Sequence, residues 1–161
     1  MRTKGALECY VPLCGNEFCY LATLMDRFSR RIVGWNLADS LTEDLAIPVL
    51  CAAIRERQPA GDLIHHTDRG GQYASGRYRA VLRRAEIQQS MSAAGNCYDN
   101  AFMESCFGTI KTELELVEYR SSAEALRELS NYIRYYNAER LHSSLGYVSP
   151  AEFETQPAPQ K

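Results

Sequence analysis

Residues 64–73 read IHHTDRGGQY and residues 92–114 read SAAGNCYDNAFMESCFGTIKTEL. Each holds one carboxylate that draws attention, Asp68 in the first and Glu104 in the second, with thirty-five residues between them. Asp68 follows the short apolar run Leu63-Ile64 and stands just past a predicted strand. Glu104 stands in a stretch with helical spacing. A carboxylate at a strand end and another on a helix can converge on one divalent cation. Hard cations such as Mg²⁺ take oxygen ligands, and two of them about 3.5–4 Å apart can clamp the entering and leaving oxygens of a phosphodiester. Taken singly, each residue has an ordinary explanation. An Asp before Gly-Gly forms turns, and a helical Glu is usually a solvated surface residue.

The company of the two carboxylates decides between these readings. YLATLMDRFSRRIVGW (20–35), the two stretches above, and YIRYYNAERLHSSLGYVSPAEF (132–153) occur in that order. Together they resemble the integrase-type catalytic core of bacterial insertion-sequence transposases, the D-D-E recombinases related to retroviral integrases. The resemblance runs from about Tyr10 to Phe153. It implies an α/β, ribonuclease-H-like mixed sheet with helices on both faces. It also implies Asp68 and Glu104 as catalytic residues and ligands of Mg²⁺ or Mn²⁺. Asn100, Lys111, Arg69 and Arg140 are then candidates for DNA contact. The implied chemistry is in-line attack on DNA by water and then by a 3′-hydroxyl, without a covalent enzyme intermediate. The implied partners are DNA, as element ends and target, and further copies of the chain.

Composition sets wider bounds. The 161 residues suffice for one domain, expected over 1–153 with a disordered tail from 154. No apolar run approaches a membrane span, and MRTKGALECY lacks a signal core, so no membrane partner and a cytoplasmic location are expected. None of the six cysteines falls in a C-x-x-C pair, which argues against zinc or a disulfide framework. The formal net charge of −2 is unlike that of a free-standing DNA binder. Basic residues nevertheless cluster at Arg27, Arg30 and Arg31, and again at Arg77, Arg79, Arg83 and Arg84. A separate or missing segment is expected to carry a dedicated DNA-binding module.

Along the chain, 7–13, 18–25 and 31–38 read as three antiparallel strands, the first two joined by a Gly-Asn turn. Gly34 weakens a strand and suits a close packing contact. A helix opens at Thr42, with Glu43 and Asp44 at its positive end, although Pro48 conflicts with its interior. A strand over 62–66 feeds Asp68, with His65 and His66 directed to opposite faces. A helix over 75–84 directs Tyr78, Val81 and Leu82 inward, and a short strand follows over 86–90. In the Glu104 helix, Met103, Phe107, Ile110, Leu114 and Val117 form an apolar stripe, while Glu104 and Lys111 share a face two turns apart. Ser121-Ser122-Ala123-Glu124 spells a capping box. It opens a helix to about Ala138 with Leu126, Leu129, Tyr132, Ile133 and Tyr136 on one face.

One ligand is missing. The family carries its first Asp in the opening strand, at a position that falls on Leu7. Glu8 is adjacent, and so faces the other side of a regular strand. Asp26 matches an Asp the family carries beyond its second strand, which is not the metal ligand. The expectation is therefore a core whose N-terminus was lost or replaced before about residue 7, with impaired activity. The alternatives are a non-catalytic remnant that binds DNA or oligomerises, and a ribonuclease-H-like hydrolase of another nucleic acid. YYNAERLHSSLGY favours the transposase over the hydrolase.

Overall fold

The computed structural model describes residues 2–13, 17–67, 70–91, 108–110, 112–114 and 118–156, with the backbone alone for 2–10 and 13. Five strands form one mixed sheet. β1 (Arg2–Leu13), β2 (Glu17–Asp26) and β3 (Ile32–Ala38) are antiparallel neighbours. β4 (Ile64–Thr67) and β5 (Gln88–Met91) extend the sheet in parallel on the other side of β1. The strand order is β3-β2-β1-β4-β5, so β1 is central. It begins at Arg2, five residues earlier than the sequence pattern suggested. An irregularity in register falls between Lys4 and Leu7.

Period-two alternation along β2 divides the core. Cys19, Leu21 and Met25 turn to one face, where they join Val11, Ile32, Ile110 and the helix α4 (Ser122–Ala138). Ala22 and Leu24 turn to the other, where they join Val33 and the helices α1 (Glu43–Arg57) and α3 (Gly76–Arg84). A one-turn helix, α2 (Gly71–Ala74), links β4 to α3. The short helix α5 (Pro150–Thr155) closes the described chain. Helices on both faces of a mixed sheet are the expected ribonuclease-H-like arrangement.

Several local expectations need amendment. Pro48 lies inside α1 without ending it. It is the sixth helical residue, where the lost backbone bond is the second of the ladder and the first turn is unaffected. Gly34 has a steric reason, because a Cβ there would stand 2.4 Å from the Val49 carbonyl oxygen. Ser75 caps α3 by accepting the Tyr78 N–H at 3.1 Å. In α4, Leu126 is exposed and the small Ala125 takes the buried position. The stretch expected as a tail from 154 is helical to Thr155, and Glu154 is held by ion pairs.

Candidate functional site

The parallel strand β4 leads to the first candidate ligand. Ile64, His65, His66 and Thr67 are register partners of Gln88, Gln89, Ser90 and Met91 of β5. On its other side β4 pairs with Arg2, Thr3 and Lys4 of β1. The two histidines separate as alternation requires. His65 is buried, with Nε2 2.7 Å from the Tyr78 hydroxyl. Burial, with a smaller contribution from His66, lowers its pKa to about 4, so it is neutral near pH 7. His66 lies on the opposite face, with Nδ1 3.2 Å from Ser90 Oγ. His65 is thus a core residue against α3 and is poorly placed to act as a base on a bound phosphodiester.

The chain beyond residue 69 is anchored again at once. Tyr73 is fully buried, packs edge-on against Tyr78 at 5.3 Å, and its carbonyl accepts the Gln89 side-chain N–H at 2.8 Å. β4 ends at Thr67, and the described chain resumes at Gly70, three residues before the buried Tyr73. Asp68 and Arg69 themselves lie outside the described residues, as do Asn100, Glu104 and Lys111. Residues 108–110 and 112–113, just past Glu104 in sequence, are helical. Ile110 is buried against the α4 face and Leu114 packs beside it, which agrees with the expected apolar stripe at those two positions. Met103, Phe107 and Val117 fall outside the described residues.

Asp26 lies away from the end of β4 and is already paired. It is the register partner of Thr3, which is itself level with His65, so it sits towards the start of β4 and not its end. Its carboxylate is 2 % exposed as a residue and is already engaged. One oxygen accepts the Phe28 N–H at 2.9 Å and the other lies 3.5 Å from Arg57. Arg57 also pairs with Glu154, while Arg31 pairs with Glu154 and Glu56. Desolvation raises the Glu154 pKa, but its bonds to Arg57, Ser29 and Arg31 outweigh this and hold it below the usual carboxylate range. This cluster joins β2, α1 and α5. Leu7 lies in the central strand, opposite Thr23. Among the described residues, no group of three or more His, Cys, Asp or Glu could hold a metal ion.

The closing signature is divided by the structure. Asn137 is a structural clamp: its side chain accepts the Ile32 N–H and donates to the Ile32 carbonyl, both at 2.9 Å. Arg140 forks onto Glu113, with Nε 2.8 Å from Oε1 and Nη2 2.7 Å from the same oxygen. The Tyr132 hydroxyl donates to Glu113 Oε2 at 2.9 Å. Arg140 foremost, then Tyr132, lowers the Glu113 pKa against a smaller opposing effect of burial. Sequence reading missed Glu113, because its partner is remote in the chain and an acidic residue near a helix end carries no signal of its own. The Arg clusters are partly neutralised as well, with Arg77 paired to Glu43 and Asp44.

A central strand flanked by β4, with Ile110 buried on the α4 face of the sheet, is a ribonuclease-H-like frame. Sequence comparison agrees. Two integrase core domain families match, over residues 8–97 and 85–150, and the chain belongs to the integrase core domain family. It is 45% identical over 137 residues to the transposase for insertion sequence element IS904 of Lactococcus lactis subsp. lactis (strain IL1403), covering 84% of this chain and 54% of that protein. Against transposase InsF for insertion sequence IS3fB of Escherichia coli (strain K12), identity is 44% over 139 residues, 85% of this chain and 48% of the relative. The chain thus spans about half the length of these relatives. Among solved structures, a chain of the simian T-cell lymphotropic virus intasome in complex with PP2A regulatory subunit B56 gamma superposes with a TM-score of 0.81 at 17% identity. That match covers 99% of this chain and 56% of the other. The dimeric HTLV-2 integrase catalytic core domain in complex with magnesium gives 0.64 at 13% identity, covering 97% and 95%. These likenesses establish the ribonuclease-H-like fold. No described helix is long and apolar enough to cross a membrane.

Proposed function

We propose that this chain is the catalytic core of an insertion-element transposase, with Asp68 and Glu104 as its metal-binding carboxylates and with turnover impaired by Leu7. The observation that carries the proposal is the frame just described. β4 runs parallel to the central strand and ends at Thr67, one residue before Asp68, within a chain matched by the integrase core domain family. Two carboxylates are the hard oxygen donors that Mg²⁺ or Mn²⁺ requires, so the donor set fits such an ion. When bound, a divalent cation would neutralise charge on the phosphodiester oxygens. The chain's own part is to hold both carboxylates on packed elements and to seat the DNA backbone. Asn100, Lys111, Arg69 and Arg140 are the candidates for that contact. Further copies of the chain, and a DNA-binding module on another segment, would complete the assembly on element ends and target.

Leu7 carries the second half of the proposal. An alkyl side chain offers no ligand where a third carboxylate would bridge two ions. Loss of such a charge removes stabilisation realised mainly in the transition state, so turnover falls further than DNA binding. The same residue favours a second reading, a core that folds and binds DNA without cutting it. The test is Mn²⁺-dependent nicking of an element-end oligonucleotide. Little product is expected from the chain as it stands, product from Leu7→Asp, and none from Leu7→Asp with Glu104→Gln. Nicking by the unaltered chain that Glu104→Gln abolishes would overturn the impairment. An inactive Leu7→Asp protein would overturn the assignment of position 7.

A further inference from the structure

Beside the end of α4 lies a polar groove of about 420 Å³, lined by Arg30, Arg140, His142, Ser143, Ser144 and Tyr147 among others. Its wall is a short loop pinned to itself. The His142 N–H donates to the Val148 carbonyl at 3.1 Å, and the Tyr147 N–H donates to the His142 carbonyl at 2.9 Å. Within the loop, Ser143–Leu145 form a single 3-10 turn closed by Gly146 at φ 79°. Tyr147 follows at φ 62°, also left-handed. A bulky non-glycine residue seldom adopts that conformation. Here no burial offsets it, because Tyr147 is 71% exposed and Leu141 beside it is 59% exposed. The fold therefore holds a strained backbone that keeps an aromatic ring on the surface at the rim of a groove containing two arginines.

Two arginines line the groove. Glu113 offsets Arg140, while Arg30 adds a second cation. His142 reports the same field: burial first, then Arg140 and Arg30, lower its pKa to about 4, against a weaker opposing effect of Glu113. Its Nδ1 stands 3.4 Å from Arg140 Nη1, which leaves Nε2 as the protonated nitrogen, buried and without a partner among the described residues. Cations for the backbone, hydroxyls for phosphate oxygens and an exposed ring for a base face are the elements of single-strand recognition.

We propose that this groove binds an unpaired nucleotide of a DNA end, with its base stacked on Tyr147 and a flanking phosphate held by Arg30 and the Ser143 and Ser144 hydroxyls. The proposal rests on the reading of the chain as a DNA-processing core, and it names residues other than the two carboxylates. An acidic protein segment would use the arginines but would have no need of the ring.

The experiment measures fluorescence anisotropy of a labelled duplex with a short single-stranded overhang, and of the fully paired duplex, in EDTA. The whole chain is used as it stands. Tyr147→Ala is expected to weaken overhang binding about tenfold and paired-duplex binding less than about twofold, with Tyr147→Phe like the parent. Arg30→Gln is expected to reduce the salt slope by about one. Arg79→Gln, on the exposed face of α3, serves as the control. Overhang binding unchanged in Tyr147→Ala, equal weakening of both DNAs, or no measurable binding by the parent would each overturn the proposal. Tighter binding of an RNA overhang of the same sequence would overturn the choice of DNA. Binding needs no cleavage, so the two proposals fail separately. Nicking by Leu7→Asp alongside an unaffected Tyr147→Ala removes only the groove. Weakened binding in Tyr147→Ala with no nicking by any variant removes only the catalytic assignment.

Discussion

The two faces of the sheet are held by different means. On one, α1 and α3 lie against Ala22, Leu24 and Val33 through an aliphatic core, with His65 and Tyr78 as its buried polar pair. These helices are joined to their strands by short connections and bury their apolar faces, with one side chain to backbone bond from Asn36 Nδ2 to the Leu45 carbonyl at 3.3 Å. On the other, α4 reaches the sheet from a hundred residues downstream, and its core is aromatic, with Tyr119, Tyr132 and Tyr136. Directional bonds fix its position: Asn137 clamps Ile32, and Arg140 and Tyr132 hold Glu113. Apolar contact is non-directional, so a helix placed by it alone can slide. Side chain to backbone bonds define one register. The cluster of Asp26, Arg57, Glu154 and Arg31 crosses from α1 to α5 and ties the faces together.

Breaking that tie should have the largest effect. Arg57→Ala would leave Asp26 buried with only the Phe28 N–H, and removing one partner of a buried pair costs about 3–5 kcal/mol. Urea denaturation of the variant would read the loss directly. Asp26→Asn with Arg57→Met should recover most of it, since no buried charge is then stranded. If the single variant were as stable as the parent, the cluster would be an exposed network of little consequence.

The α1 face carries an acid response of its own, through His65. Its pKa in the folded chain, about 4, lies below the ordinary value of 6.5, so the unfolded chain takes up the proton first. Stability from this group is therefore complete above pH 6.5 and declines as pH falls towards 4. The total is roughly 3 kcal/mol, from 1.36 kcal/mol per pKa unit. Midpoints of urea unfolding between pH 7 and 4, compared for the parent and His65→Gln, would show it as a shallower decline in the variant. Parallel curves would mean that His65 titrates normally.

How legible these features were in the sequence follows the same division. The strand read over 18–25 and the helix opened at Thr42 match β2 and α1, because local signals and burial coincide there. The buried face of α4 was read correctly at Leu129, Tyr132, Ile133 and Tyr136, and missed only at its start, where Ala125 and not Leu126 is buried. Pro48 suggested a break that its early place in the helix makes cheap. The proposal of Asp68 and Glu104 as site residues rests on the family motifs around them. Neither carries a local signal beyond turn or helix. Arg140 stood out by its motif, but Glu113 did not, since a pairing across 27 residues leaves no trace in either neighbourhood. The pairing of Asp26 with Arg57 and the Phe28 N–H left no trace in the sequence.

Loosening the clamp on the second face should cost less than breaking the ion cluster. Asn137→Ala removes a donor and an acceptor from Ile32, whose backbone groups are then left to find water at a partly buried site. An effect of about 1–3 kcal/mol is expected in thermal or urea unfolding. Asn137→Asp sharpens the point, because a carboxylate can still accept the Ile32 N–H but cannot donate to its carbonyl. It should fall between the parent and the alanine variant. Equal loss in both would show that the donated bond matters more than the accepted one.

The smallest effect is expected at the start of the same helix, and it asks whether α4 is held mainly by its own cap or by its tertiary bonds. Ser121 accepts the Glu124 N–H at 3.2 Å, and the Glu124 carboxylate reaches back to the Arg120 N–H at 2.7 Å. The reciprocal arrangement expected from the sequence is present, shifted by one residue on its return bond. Ser121→Ala removes one acceptor at an exposed helix end, where water can replace it, so a loss of about 1 kcal/mol is expected. Ser121→Gly should cost only a few tenths of that unit, and Ser121→Asp should be neutral or slightly stabilising beside the positive end of the helix. Amide exchange across 122–138 would separate local from global effects. Fraying of the first turn alone, with Tyr132 to Tyr136 still protected, is the result expected if Asn137 and Arg140 place the helix. Loss of protection along its whole length in Ser121→Ala would reverse the comparison between the faces, making the cap and not the distant hydrogen bonds the determinant of where α4 lies.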